Sequence, residues 1–359
     1  MVGVDSRTFR VVWTIFLFGL LLATMYEIRE TLILLAVSIF VAYMVAPLVN
    51  LAERFMPKRR WLALLVVYVV LVGGLVTIGI DLGSQIADEA SSLFSRLPKL
   101  LQGGSLQSMP LPSWLEPLRA HILEVMQHEA AQLQASLLPI LQRASGHIVS
   151  GIGVIILMVL VPIISFFLLK DAPEINQGLI EVLREVDQRH VFSQIFDDIH
   201  NLLSNYIRAL VLLAIISFAA WAIFLFAIHA PYPLLLAAIS GALEFIPAVG
   251  PAVALATVVI VTGVSGFASG LLWVVIFWIS FRLFQDYVLS PILMSAGVQI
   301  HPLLVLLGVL AGGQIGGLSG MFFSVPVIAI LKVLFVRVRE AQLRARLSRP
   351  AQFDLGPRS

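Results

Sequence analysis

The stretch GALEFIPAVGP, residues Gly241–Pro251, places a carboxylate, two prolines and a glycine inside one of the most apolar regions of the chain. Pro247 and Pro251 each remove a backbone donor and clash with the preceding helical turn. Gly250 allows the turn that joins two helical halves. The stretch therefore predicts a broken helix where an uninterrupted membrane helix would be expected, with Glu244 beside the break.

The apolar segment around this break is too long for one membrane crossing. It runs from Tyr232 to Thr262, 31 residues, which as one straight helix would measure about 46 Å. A second apolar segment, from Pro302 to Phe335, has 34 residues, or about 51 Å, and is interrupted by GGQIGGLSG. Because the hydrocarbon core is about 30 Å thick, we interpret each segment as two half-helices that meet at depth. The second break is predicted at Gly312, Gly313, Gly316 and Gly317.

Two arrangements of these segments remain open. If both are re-entrant hairpins, the C-terminal region forms an inverted repeat, a pattern that points to the binding site of a transporter. If each segment crosses once with a strong tilt, the chain has eight spans. The glycines also have a second interpretation, since a repeat every four residues lets membrane helices pack closely. That repeat consists of Gly308, Gly312, Gly316 and Gly320.

The composition of the 359-residue chain is that of a membrane protein. Hydrophobic residues make up 59% and charged residues 12%, against about 45–50% and about 25% in soluble domains. We predict an all-α, polytopic helical membrane protein of six to eight spans.

The absence of cysteine excludes disulfides and thiolate metal sites, and a net charge of +2 gives no reason to expect nucleic acid as a partner. Spans are predicted at 9–26, 31–50, 61–80, 149–169, 206–228 and 268–289.

The distribution of positive charge predicts the orientation of the chain. With a cytoplasmic N-terminus, 18 lysines and arginines lie on the inner side and 5 on the outer side, so the positive-inside rule places both termini in the cytoplasm. In chain order we predict an N-terminal scaffold of membrane helices (1–80), an extracytoplasmic helical domain (81–148), a fourth span with cytoplasmic amphipathic helices (149–205), a transport repeat with helix breaks (206–336) and a basic cytoplasmic tail (337–359).

Charged and polar residues at membrane depth are the candidate binding residues. A charge at mid-bilayer costs at least about 2.5–3.5 kcal/mol, so each should face protein, water or a partner. For Glu244 we favour a binding role over a cap for the broken helix. Arg282 and Asp286 share one helix face, and a structural ion pair is favoured there over a titrating site. The predicted substrate- or ion-binding set is Glu244, Pro247, Gly250, Pro251, Gln285, Asp286 and Gln314.

We expect no catalytic residue, metal site or cofactor. The motif GLSG, at Gly317–Gly320, is similar to the serine motif of rhomboid intramembrane proteases, but no histidine follows His301 to serve as their catalytic base. The chain also lacks the H-E-x-x-H motif and the phosphate-binding loop of ATPases. We therefore expect a protein that is not an enzyme, with any energy for transport coming from a gradient or a partner.

Five segments occur in a specific order along the chain: APLVNLAERFMPKRRWLALLVVYVV (46–70), FFLLKD (166–171), NYIRALVLLAII (205–216), GALEFIPAVGP (241–251) and GVQIHPLLVLLGVLAGGQIGGLSGMFFSVPVIAILKVL (297–334). Together they resemble the autoinducer-2 exporter family of bacterial transporters. The resemblance implies a multi-spanning protein of the bacterial inner membrane that forms homo-oligomers, with pentamers reported in the family. It also implies site roles for the carboxylates Glu244 and Asp286.

Three functions are compatible with these observations. The leading hypothesis is a secondary transporter that exports a small polar organic molecule similar to autoinducer-2 by alternating access. The second is a monovalent cation/proton antiporter, for Na⁺ or Li⁺, in which Glu244 and Asp286 exchange ion for proton. The third is a membrane scaffold without transport activity that binds partners at 81–148 or 170–205. The expected partners are the lipid bilayer, a small-molecule or ion substrate and further copies of the chain.

Overall fold

The computed structural model describes residues 6–56, 59–102, 152–181, 186–293 and 301–347. Within these ranges every regular element is a helix, as predicted. A 3₁₀ turn (Ala268–Gly270) precedes the helix Leu271–Phe284, and a π-helix (Gln285–Leu289) joins that helix to the short helix Ser290–Leu293. The helices are α1 (Ser6–Glu27), α2 (Arg29–Phe55), α3 (Arg60–Gln102), α4 (Ile152–Glu181), α5 (Val186–Ala227), α6 (Pro233–Leu243), α7 (Val249–Val264), α8 (Leu271–Phe284), α9 (Ser290–Leu293) and α10 (Pro302–Leu347).

Six helical segments among the described residues are long and apolar enough to cross a membrane, which confirms a polytopic membrane protein. They lie in α1, α2, α3, α5, the continuous helix from α8 to α9, and α10. The helix α4 covers the predicted fourth span from residue 152 onward but is not among the six. That crossing therefore stays a prediction.

Several helices run on beyond the ends of the predicted spans and of the predicted transport repeat. The helix α3 continues past residue 80 to Gln102, α5 begins at Val186 rather than near 206, and α10 continues past 336 to Leu347. Apolar composition marks where a helix leaves hydrocarbon, whereas the backbone hydrogen bonds continue into water wherever the sequence stays helix-forming. Residues 103–148 of the predicted outer domain lie outside the described residues.

The first long apolar segment folds as two short helices, α6 and α7, which confirms the break predicted from its prolines. With a rise of 1.5 Å per residue, α6 is about 16 Å long and α7 about 24 Å, so neither alone spans about 30 Å of hydrocarbon. The two helices share one buried core, in which Leu236 and Val258 are fully buried together with Trp221 of α5 and Val274 of α8. The segment is therefore a helical hairpin packed against α5 and α8.

Gly250 is required for a different reason from the one predicted. The residue with a positive φ in the turn is Ala248, at φ 66°. Gly250 lies in the first turn of α7, where a Cβ atom would sit 1.8 Å from the carbonyl oxygen of Leu243. Glycine at this position lets the last turn of α6 and the first turn of α7 touch.

The second long apolar segment, in α10, also folds back on itself. Gly316 (φ −132°, ψ 16°) and Gly317 (φ 58°, ψ −140°) leave helical geometry and separate two arms, 302–315 and 318–347. A Cβ atom on Gly308 would lie 2.1 Å from the side chain of Ile328. In a straight helix these two residues would be about 30 Å apart. The segment is thus a hairpin, although its length and composition alone would allow a single span.

The turn of this second hairpin is narrower than predicted. Gly312 and Gly313 belong to the first arm, and only Gly316 and Gly317 depart from helical geometry. A Cβ atom on Gly320 would lie 1.9 Å from the carbonyl oxygen of Gly312. The glycines therefore have two roles at different positions. Gly316 and Gly317 make the turn, whereas Gly308, Gly312 and Gly320 let the two arms pack closely.

The chain divides into two compact units, Met1–Val69 with Gly151–Pro173 and Val70–Ser150 with Glu174–Ser359. In the first unit, the Tyr68 hydroxyl donates a 2.8 Å hydrogen bond to Ser165 Oγ, and the Tyr68 ring packs edge-on against Phe166. The second unit contains both hairpins and the candidate site. The five domains predicted from the sequence remain predictions.

Candidate functional site

A cavity of about 270 Å³ lies in the second unit, close to the lower end of the range of about 300–1,000 Å³ for small-molecule sites. It forms where α5, the turn between α6 and α7, the π-helix and both arms of α10 meet. Its polar lining comes from Asn205, Tyr206, Glu244, Arg282, Gln285, Asp286 and Ser290. Its apolar lining consists of Leu202, Leu210, Leu213, Pro247, Ala248, Pro251, Val305, Val325 and Ala329. An apolar cavity with a few polar groups suits a small solute that carries hydrogen-bonding atoms.

The Glu244 carboxylate is the centre of a three-residue hydrogen-bond network. Its Oε1 accepts a 3.1 Å hydrogen bond from Ser217 Oγ of α5 and a 3.0 Å hydrogen bond from Gln285 Nε2 of the π-helix. Ser217 is fully buried, and Gln285 is 3% exposed. The network therefore joins the turn of the first hairpin to two helices outside it.

Local backbone geometry brings the side chains of Glu244 and Gln285 to the cavity. Glu244 follows the last residue of α6, where the backbone N–H groups of residues 244–246 bond to carbonyls three residues back, in a tightened final turn. Gln285 is the first residue of the π-helix. A π-turn inserts one extra residue into a helix and is frequent at functional sites. The wider turn here begins at the residue that contacts Glu244.

Arg282 and Asp286 form the predicted ion pair. Arg282 Nε and an Arg282 terminal nitrogen lie 3.1 Å from Asp286 Oδ2 and Oδ1, so the contact is bidentate. The side chains are 33% and 47% exposed, and both residues line the cavity. Exposed ion pairs contribute little to stability, about 0–1 kcal/mol. Because both residues line the cavity, the pair also offers a charged surface to a solute.

The two prolines of the first break belong to the cavity wall. Pro247 and Pro251 both line it. The Trp278 indole N–H donates a 3.1 Å hydrogen bond to the Pro251 carbonyl, which fixes the start of α7 against α8. The break thus places two prolines, whose φ angles are fixed by their rings, in the cavity wall.

Six of the predicted site residues line the cavity: Glu244, Pro247, Pro251, Arg282, Gln285 and Asp286. Gly250 lies behind the wall, against Leu243. Gln314 is exposed near the turn of the second hairpin and does not line the cavity. The structure thus brings the first break and the helix after it together at one site, and places the predicted polar residue of the second break elsewhere.

Sequence reasoning missed the contribution of α5. Tyr206, Leu210 and Leu213 line the cavity, and Ser217 reaches Glu244. Their spacing of four, three and four residues is that of one helical face, a signal present in the sequence.

Tyr206 carries an unusual polar group at this site. Its hydroxyl oxygen is buried and has no hydrogen-bond partner among the described residues. A buried polar atom without a partner costs about 1–3 kcal/mol. This hydroxyl is therefore a polar group at the cavity that the described residues leave unsatisfied.

The chain is similar in sequence to described transport proteins over most of its length. A sequence profile described as "AI-2E family transporter" matches residues 13–340, which include every residue that lines the cavity. "Putative transport protein YrrI" of Bacillus subtilis strain 168 is 26% identical over 348 residues, covering 91% of this chain and 93% of that protein. "Putative transport protein YueF" of the same strain is 26% identical over 317 residues, covering 85% and 84%. "Putative permease PerM" of Escherichia coli K12 is 28% identical over 259 residues, covering 70% and 66%.

Proposed function

This chain belongs to the AI-2E family of transporters, and we propose that it exports a small polar organic molecule similar to autoinducer-2 by alternating access. Membership of the family makes the chain a multi-pass membrane transporter. What we propose is the chemical class of the solute and the way in which it is transported. The size of the cavity, about 270 Å³, and its mixture of apolar walls with a few polar groups support a solute of this kind.

The hydrogen-bond network at Glu244 carries the proposal. The acceptor belongs to a hairpin, while the donors Ser217 and Gln285 belong to helices outside that hairpin. A movement of the hairpin relative to α5 and the π-helix would break both hydrogen bonds. Hydroxyl groups of a bound solute would then replace the lost donors, which links solute binding to the position of the hairpin.

The pair of hairpins supports alternating access. Discontinuous helices near the bilayer midplane, in corresponding positions of two halves, are the usual setting of a transporter binding site. Here the turn of the first hairpin and both arms of the second contribute to one cavity. In this proposal the two hairpins are re-entrant and form an inverted repeat with α5 and α8.

A second candidate function is a monovalent cation/proton antiporter. One observation favours it: both side-chain hydrogen bonds that Glu244 Oε1 accepts come from neutral groups, Ser217 and Gln285. A carboxylate that is held only by neutral donors can accept a proton or a monovalent cation as its charge partner.

The cellular setting is part of the same proposal. We place the protein in the bacterial inner membrane with both termini in the cytoplasm, on the distribution of lysine and arginine. We also propose a homo-oligomer, on the family resemblance. Native mass spectrometry in mild detergent that shows only monomers would contradict the oligomer.

Transport by purified protein in liposomes tests the proposal. Efflux of autoinducer-2 and sodium-driven proton movement are measured in parallel, over a range of pH, for the wild-type protein and for Glu244→Gln. Glutamine keeps the size and one acceptor oxygen but cannot titrate. We expect wild-type efflux of the organic solute, and loss of its pH dependence in Glu244→Gln.

The matched control is Asp81→Asn, which neutralises an exposed carboxylate of α3 outside the cavity and should change nothing. Proton movement without efflux would favour the antiporter. A wild-type protein that moves neither solute would favour the scaffold function and overturn the proposal. A Glu244→Gln protein with the wild-type rate and pH profile would remove Glu244 from the mechanism.

A further inference from the structure

The N-terminus of α6, the first helix of the first hairpin, has no cap from its own segment. The residue before the helix, Tyr232, has φ 55° and makes no side-chain cap hydrogen bond. Pro233 begins the helix and has no N–H group, and the Leu236 N–H already bonds to the Tyr232 carbonyl at 3.1 Å. The N–H groups of Leu234 and Leu235 are therefore the ones that need a partner from elsewhere.

A carboxylate from α3 fills this need. Glu89 Oε2 accepts a 2.8 Å hydrogen bond from the Leu235 N–H, and Glu89 Oε1 accepts a 3.4 Å hydrogen bond from the Leu234 N–H. Glu89 precedes Leu234 by 145 positions and Leu235 by 146 positions. Its negative charge also lies at the end of α6 where the helix dipole favours it. One side chain thus satisfies both of the N–H groups at the start of α6 that lack a partner in their own segment.

The same face of α3 packs against the hairpin through apolar side chains. Ala90 and Leu93 are buried with Leu235, and partly buried side chains from α3, α6, α7 and the residue before α6 pack against them. The partly buried set is Ile86, Phe94, Tyr232, Ile239 and Val261. The α3 residues follow the three-to-four spacing of one helical face. The contact therefore has an apolar part, which holds α3 to both helices of the hairpin, and a polar part, which is Glu89.

Glu89 and Glu244 lie at opposite ends of α6. The helix has 11 residues, about 16 Å, with Glu89 on its first turn and Glu244 directly after its last residue. A short hydrogen-bonded helix moves as a unit, so its start and its end are displaced together.

We propose that Glu89 is a positioning residue for transport: it holds the first hairpin by the N-terminus of α6 and thereby sets the place of Glu244 in the cavity. The inference rests on the proposed function, in which movement of this hairpin accompanies solute transfer. It gives the part of α3 beyond residue 80 a role in transport, because that part carries the contact.

Three variants test the inference. Glu89→Ala removes both acceptors, and Glu89→Gln keeps one acceptor oxygen but loses the charge. Asp88→Asn neutralises the neighbouring exposed carboxylate and serves as the control. Hydrogen–deuterium exchange of a peptide covering Pro233–Leu243 reports on the hairpin directly. Transport in liposomes, measured as maximal rate, KM and pH profile, reports on Glu244.

In Glu89→Ala, we expect exchange of the peptide to rise about tenfold, as for the loss of hydrogen bonds to a charged acceptor. The maximal rate should fall about tenfold and the pH profile should shift. Glu89→Gln should recover part of both losses, and Asp88→Asn should match the wild type. If Glu89→Ala does not fold, the comparison of Glu89→Gln with Asp88→Asn still decides the outcome.

Two results would overturn the inference while leaving the proposed function intact. In the first, exchange of the peptide is unchanged in the Glu89 variants. In the second, exchange rises but rate and pH profile stay at wild-type values, which would make Glu89 only a structural cap. A wild-type protein that transports neither solute, with exchange still sensitive to Glu89, would overturn the proposed function and with it the transport role of this residue.

Discussion

Gln285 and Glu244, 41 positions apart in the chain, are joined by a 3.0 Å hydrogen bond from Nε2 to Oε1. The same oxygen accepts the Ser217 hydroxyl at 3.1 Å, so two neutral donors hold one carboxylate oxygen. Each donor comes from a different helix. The carboxylate is therefore the point at which α5, the first hairpin and the π-helix are coupled, and loss of either donor should be measurable.

Ser217→Ala removes one of the two donors without removing the carboxylate. A neutral hydrogen bond contributes about 0.5–1.5 kcal/mol, so we expect a change in KM or in the pH midpoint of transport that corresponds to about 2- to 10-fold. Ser240→Ala is the matched control, because Ser240 is similarly buried and its hydroxyl donates a 2.8 Å hydrogen bond to the Leu236 carbonyl of its own helix. Equal effects of the two substitutions on transport would contradict the coupling.

Gly320→Ala should disrupt the second hairpin. A Cβ atom at this position would lie 1.9 Å from the Gly312 carbonyl oxygen, a backbone atom that cannot rotate away. Overpacking of this kind costs about 1–3 kcal/mol and sometimes more. Thermal unfolding in detergent, followed by tryptophan fluorescence, should show a clear fall in the melting temperature.

The control for this substitution is Gly79→Ala in α3. Nothing lies within 4 Å of a Cβ atom there. Alanine is favoured over glycine in a helix interior by about 1 kcal/mol, so the melting temperature should stay the same or rise. A Gly320→Ala protein as stable as Gly79→Ala would show that the two arms do not pack through their glycines.

Tyr206→Phe should leave stability unchanged or raise it. The Tyr206 hydroxyl is buried without a hydrogen-bond partner among the described residues, so its removal relieves a cost of about 1–3 kcal/mol. Tyr68→Phe should behave in the opposite way, because the Tyr68 hydroxyl donates a 2.8 Å hydrogen bond to Ser165. Chemical or thermal unfolding of both variants makes the comparison. Destabilisation of Tyr206→Phe by as much as Tyr68→Phe would indicate a partner for the hydroxyl.

The orientation of the chain can be tested by labelling, because the natural sequence has no cysteine. Ser105→Cys lies in the segment predicted to be extracytoplasmic and should react with an impermeant thiol reagent in intact spheroplasts. Ser348→Cys lies in the predicted cytoplasmic tail and should react only after lysis. The reverse pattern of labelling would contradict the positive-inside assignment.

The sequence by itself determined the class of the protein and the places where its helices break. Apolar content and run length require a membrane protein, because water cannot solvate so many apolar side chains. The breaks at Pro247 and at Gly316 follow from backbone geometry within one or two residues, which does not depend on distant parts of the chain. The sequence also predicted Glu244 and Asp286 as candidate site residues, since a charge in an apolar segment is costly unless it has a use, and both line the cavity.

Only the tertiary structure decided which residues meet. Ser217 and Glu89 look ordinary in the sequence, and their roles arise because packing brings α5 and α3 against a hairpin formed by residues far along the chain. Gln314, beside a predicted break, lies outside the cavity. Local sequence controls backbone dihedral angles and the hydrophobic face of each helix, whereas a site depends on how those faces interlock. That arrangement is set by side-chain packing between segments many residues apart.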